Sequence, residues 1–206
     1  IPSGVENGMF QFGKLVIQST VSTLGTHEIA ANAIIIVLEY LSSTAGVGLG
    51  LGLMTVVGNA IGAGRKEEAR YYVLKSCLMC FVIHVANNLI VLALTKPMII
   101  LSGMGAESGV LCWDIMVFLT ISKSLIWVPA FVLAYGMRAA GDVKFSMIVS
   151  TCTMWLCRVS LSIFLVKYMH IGLAGVWIGM ASDWLVRNII FTIRFLKGKW
   201  AHKAFV

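Results

Sequence analysis

Long apolar runs alternate with short polar connections along this chain, and six of the runs reach the roughly 20 residues that a helix needs to cross a bilayer. They extend from Ser3 to Thr23, Ile29 to Val57, Tyr72 to Leu94, Gly109 to Tyr135, Phe145 to Val166 and Gly172 to Phe195. The first is interrupted at regular intervals by Ser3, Asn7, Gln11, Lys14, Gln18 and Ser22. At about 100° per residue these positions share roughly one third of a helix surface, and Val5, Met9, Phe12, Leu15 and Val16 occupy the rest. The pattern predicts a membrane helix with one wet stripe. A cation midway along it costs at least about 3 kcal/mol unless it is paired or hydrated. The stripe is therefore expected to face a cavity.

The second run supplies a companion. Asn32, Glu39 and Ser43 share one helical face. Glu39 lies eleven residues from the end near Glu28, and Lys14 lies eleven residues from the opposite end of its own run near Ser3. At 1.5 Å rise per residue both reach a depth of about 16 Å, near the bilayer midplane. Lys14 and Glu39 are expected to pair, or to share one wet cavity. Glu6, near the start of the first run, is a candidate proton or ion acceptor at the mouth, with solvation at the interface as the alternative.

In the later runs, Lys123 stands one turn before Trp127, and Pro129 removes a backbone hydrogen bond nearby, so a bend is expected there. His84, Asn87 and Asn88 form a cluster of the kind that holds helices together. Arg158 shares a face with Thr151, Trp155 and Ser162, and Asp183 and Arg187 have the spacing of a self-neutralising pair. Gly46, Gly48, Gly50 and Gly52 place small residues on two helix faces. The Gly58, Gly62 and Gly64 run lacks the lysine and preceding strand of a phosphate loop, and the Arg65 to Arg70 stretch after it reads as an amphipathic surface helix.

Composition agrees with a bilayer. The 206 residues are 59% hydrophobic and 12% charged, with a mean hydropathy of +0.90, whereas soluble domains average about 25% charged. The net charge of +7 reflects topology and not a nucleic-acid partner. Arg65, Lys66, Arg70, Arg138, Lys144, Arg194, Lys197, Lys199 and Lys203 fall in the second and fourth connections and at the C-terminal end, from the close of the sixth run through the tail at 196–206. Only Lys96 and Lys167 occupy the first, third and fifth connections. That bias predicts a multi-pass protein of the plasma (inner) membrane with both termini in the cytoplasm, its basic tail near anionic lipid. The five cysteines all lie within apolar runs and read as packing residues. His27, His84, His170 and His202 are scattered without an HExxH or GxSxG pattern, so an enzyme is not expected, nor a cofactor. The first run is long and has no basic start, unlike a signal peptide, and an opening at Ile1 suggests sequence upstream.

Several stretches carry a resemblance. VGNAIGAGRKEEAR after the glycine-rich run, MRAAGDVKF after the fourth, then MWLCRVSLSIFL and GVWIGMASDWLVRNIIFTIRFLKGKW, resemble the multidrug and toxic compound extrusion (MATE) transporters. The opening IPSGVENGMFQFGK is similar to the start of that family's second half. The resemblance implies an all-α integral membrane fold, a six-transmembrane-helix bundle forming one lobe, the C-terminal one, of a twelve-helix transporter. The two lobes would be parallel repeats about an axis along the membrane normal. A lone lobe would turn its polar stripe to lipid, so the partner is expected to be an N-terminal lobe in cis or a second copy as a homodimer. Some family members carry a carboxylate where Phe10 aligns, and others an aspartate near Trp127; here the acids are Glu6 and Glu39.

The resemblance implies a secondary active transporter half that exports amphipathic or cationic drugs and toxic compounds by antiport with H+ or Na+, and the polar stripe is consistent with such a cavity. A flippase for lipid-linked substrates is the alternative. Glu6, Asn7, Gln11, Lys14, Gln18, Asn32, Glu39, Lys123 and Trp127 are the candidate substrate- and ion-binding residues.

Overall fold

The computed structural model describes residues 2–198 and 200, with the backbone alone at residues 2, 3, 5 and 6. Among them are helices and no strands. They form α1 (Pro2–Val21), α2 (Thr26–Gly62), α3 (Lys66–Leu101), α4 (Ala106–Ser122), α5 (Val128–Ala139), α6 (Val143–Thr153), α7 (Ser162–Lys167) and α8 (Leu173–Leu196). A π-helical turn, Lys123–Trp127, joins α4 to α5, and another, Met154–Leu161, joins α6 to α7. The chain thus makes six rods. Four of them, Thr26–Gly62, Lys66–Leu101, Ala106–Ala139 and Val143–Lys167, are long and apolar enough to cross a membrane by length and composition. The other two, α1 and α8, carry the polar stripe and the Asp183, Arg187 and Arg194 charges.

The rods outrun the apolar windows that predict them. At 37 residues α2 is about 55 Å long, well beyond the roughly 30 Å hydrocarbon core, because helical hydrogen bonding continues through the polar ends. For the same reason Arg65 to Arg70 is no separate surface helix: α3 starts at Lys66 and runs unbroken to Leu101. The reversal between α2 and α3 takes only a tight turn. Gly64 adopts φ 74°, its N–H donates to the Ile61 carbonyl, and that of Arg65 donates to Ala60. The same cap recurs between α5 and α6, where Gly141 has φ 87° and the N–H groups of Gly141 and Asp142 reach Arg138 and Met137. A left-handed residue closing two carbonyls in this way favours glycine. This is why GAGR and AAGD stand where they do.

Glycines also set how close the rods lie. A Cβ on Gly46 would run into the Trp127 ring, and one on Gly50 into the Tyr135 ring, so this face of α2 receives the aromatic side chains around α5. Gly48 and Gly52, on the other face, meet nothing within 4 Å. On α8, Gly175 and Gly179 lie against Leu165 and Ser162 of α7 in the same manner. Small residues one turn apart let two backbones approach where apolar solvent offers no hydrophobic drive to association.

Where a bend is expected near Pro129, the structure has a π turn. Proline has no N–H to give to the carbonyl four residues back, and its ring crowds that carbonyl. The widened turn Lys123–Trp127 directly precedes it. In the other π turn, the Ser160 hydroxyl donates to the carbonyl of Trp155, five residues back, at 2.8 Å.

Candidate functional site

Lys123, at the first position of its π turn, is buried at the centre of the bundle. Its ammonium donates to the Glu39 carboxylate (3.0 Å), the Glu39 carbonyl (3.2 Å), Ser42 Oγ (2.5 Å) and Ser43 Oγ (2.6 Å). Ser43 in turn donates to Glu39 Oε1 at 2.9 Å. All these acceptors come from little more than one turn of α2, whose hydroxyl face points at the ammonium. Asn87 of α3 braces the same turn by donating to the carbonyls of Leu41 (3.2 Å) and Ser42 (2.9 Å), while Asn88 donates to Ser124 (3.2 Å). His84, fully buried, stacks on Trp127 at 4.7 Å, and Trp127 stacks on Phe131 at 4.5 Å. The polar cluster of α3 therefore ties helices together.

Glu39 is the expected partner of Lys14 but pairs with Lys123 instead. Lys123 opens a π turn, whose wider turn departs from the uniform α-helical spacing from which a sequence reading places side chains. Lys14 donates to the Tyr40 hydroxyl at 3.0 Å. Both Lys14 and Glu39 nevertheless line one cavity of about 340 Å3, with Gln11 and Gln18 on the α1 side and Asn32 and Tyr40 on the α2 side. Its far wall is Arg158 from the second π turn and Val176, Trp177 and Met180 of α8.

A second cavity, of about 150 Å3, lies toward the end of the bundle that carries Arg138 and is lined by Asn7, Phe10, Phe131, Tyr135 and Arg187 among others. Phe10 belongs to its lining, yet the cations of Lys14 and Arg158 each lie 5.8 Å from the Phe10 ring centroid and that of Arg187 lies 5.2 Å from it. Arg187 is also held by Asp183 (2.8 Å), Thr153 Oγ1 (2.9 Å) and the Ser150 carbonyl (3.0 Å), so the i, i+4 spacing does mark a buried, self-neutralised pair. At the same end of the bundle Arg194 reaches Asp142 at 2.8 Å.

The sequence-predicted residues thus divide. Gln11, Lys14, Gln18, Asn32 and Glu39 meet at the larger cavity, and Asn7 at the smaller. Lys123 stands behind Glu39, and Trp127 is packed in the core, lining neither of the two cavities. The side chain of Glu6 lies outside the described residues. Arg158 and Trp177 were not singled out as binding residues. An arginine inside an apolar run is a signal for the first; for the second there is none, since Trp177 looks like any aromatic core residue until the rods are assembled. Among the described residues no group of three or more His, Cys, Asp or Glu side chains is placed to hold a metal ion.

Comparison with known proteins gives a family. The MatE family model matches residues 2–164. The chain is similar to a protein of Thermotoga maritima named "Probable multidrug resistance protein NorM", with 26% identity over 98% of this chain and 44% of the relative. It is also similar to the "Uncharacterized transporter YisQ" of Bacillus subtilis, with 23% identity over 98% of this chain and 44% of the relative. A third relative, an "FAD transporter" of Shewanella oneidensis, is 26% identical over 60% of this chain and 27% of its own length. The chain spans less than half the length of the curated relatives it matches.

Proposed function

The chain belongs to the MatE family, and from that premise we propose that it forms the C-terminal half of a secondary active transporter that exports amphipathic organic compounds in exchange for H+ or Na+. The observation that carries this reading is the cavity between α1, α2 and α8. Glutamine, asparagine and charged groups on one side of it face Trp177 and Met180 on the other, at a volume within the range of small-molecule sites. Such a surface offers few fixed hydrogen bonds and much adaptable contact, which suits chemically varied ligands.

The wall that this cavity lacks is supplied by a second six-helix lobe, either earlier in the same polypeptide or in another copy. Exposed Phe12 and Leu15 on α1 support an apolar neighbour there. Glu6 is the remaining candidate for the coupling cation, because the Glu39 carboxylate is already committed to Lys123. The orientation with both termini in the cytoplasm of a plasma (inner) membrane rests on the basic connections.

Vesicles containing the full-length protein test the proposal. A gradient of H+ or Na+ is expected to drive accumulation of amphipathic dyes against their own gradient, with fluorescently labelled phospholipid unmoved. Translocation of the labelled lipid without dye transport would replace this reading with that of a flippase.

A further inference from the structure

We propose that the cavity between α1, α2 and α8 binds organic anions that carry an aromatic ring, the charge sign opposite to that of the cationic drugs the family resemblance implies. The inference rests on the transporter reading and names its substrate class. Four cationic side chains, Lys14, Lys123, Arg158 and Arg187, stand in or beside this cavity, against two carboxylates, Glu39 and Asp183, among the described residues. Both carboxylates are already taken. Glu39 holds Lys123 at 3.0 Å, and Asp183 holds Arg187 at 2.8 Å.

Lys14 and Arg158 are left over, and both line the cavity. Among the described residues neither forms an ion pair; Lys14 has the neutral Tyr40 hydroxyl, and the buried Nε of Arg158 has no hydrogen-bond partner. Each cation lies 5.8 Å from the centroid of the same Phe10 ring, and both face the same cavity, so an anionic group bound there has a cation on the α1 side and one on the Arg158 side. The guanidinium of Arg158 is a planar donor suited to carboxylate, sulfonate or phosphate oxygens. Tyr40 and Trp177 in the lining offer flat faces to a ring. A cationic ligand entering the same space would meet two cations outside any ion pair and an acid already bonded to Lys123.

Fluorescein and rhodamine 6G share a xanthene skeleton and carry opposite charge at neutral pH, so they isolate the sign of the ligand. Full-length protein in phosphatidylcholine nanodiscs is expected to bind fluorescein at least tenfold more tightly than rhodamine 6G. Lys14→Gln and Arg158→Gln should each weaken fluorescein binding about tenfold, the loss of one charged hydrogen bond, while Arg158→Lys retains part of it. Because Lys14 is partly exposed, its variant reports even where the Arg158 variants fail to fold. Adding phosphatidylglycerol separates the two sources of such an anion: displacement of fluorescein assigns the site to a lipid headgroup, and its persistence to a free aromatic anion. Preference for rhodamine 6G, or fluorescein binding indifferent to both substitutions, overturns the inference and leaves the transporter reading standing. Failure to bind or carry either dye overturns the transporter reading itself.

Discussion

Removing the Lys123 ammonium would leave the Glu39 carboxylate in the middle of the bundle without its direct ion-pair partner. Breaking a buried pair from one side costs about 3–5 kcal/mol, because the surviving charge keeps its desolvation penalty and loses its partner. Lys123→Met is therefore expected to lower the thermal stability of the purified protein sharply, and Glu39→Gln in the same chain to restore much of it. Melting curves of the two single variants and the double variant check this; equal, additive losses would show that the 3.0 Å contact carries no coupling. The same ion pair shows what a residue-level reading of the sequence reaches. That Glu39 lies at cavity depth follows from counting residues at 1.5 Å each. Its partner does not follow, because Lys123 and Glu39 are 84 positions apart and the π turn shifts the register of one helix against uniform periodicity.

Between elements, glycine placement decides which faces meet. Gly46→Ala puts a methyl into the Trp127 ring and presses on a stack that includes His84 and Phe131, whereas Gly48→Ala, two positions along, meets open space. Overpacking of this kind costs about 1–3 kcal/mol, and an added alanine on a free helix face slightly favours the helix. Thermal unfolding should thus separate the two variants, with Gly46→Ala destabilised and Gly48→Ala unchanged or improved; equal behaviour would mean that α2 does not pack on α5 through this face. From the sequence, four glycines at alternate positions indicate small residues on two faces and cannot say which face is covered. Helix number was readable because each rod coincides with a mostly apolar run between polar connections, even in α1 and α8, which carry a polar stripe or buried charges and fall outside the four rods apolar enough to span by composition. Helix ends were not, since α2 and α3 continue through charged and polar residues that no longer face hydrocarbon.

At the scale of the molecule, Gln11, Lys14 and Gln18 of the polar stripe on α1 line a cavity shared with α2 and α8. Everything proposed about export depends on water reaching that stripe, because a dry groove at this depth would make Lys14 and Arg158 prohibitively costly. Single cysteines at Gln11 and Gln18, placed in a full-length protein from which the native cysteines have been removed, test this most directly with a membrane-impermeant thiol reagent. Leu78→Cys, on the exposed apolar face of α3, is the comparison. The account predicts rapid labelling at Gln11→Cys and Gln18→Cys, slowed by a bound ligand, with Leu78→Cys unreactive; labelling at Leu78→Cys but not at the two α1 positions would contradict it.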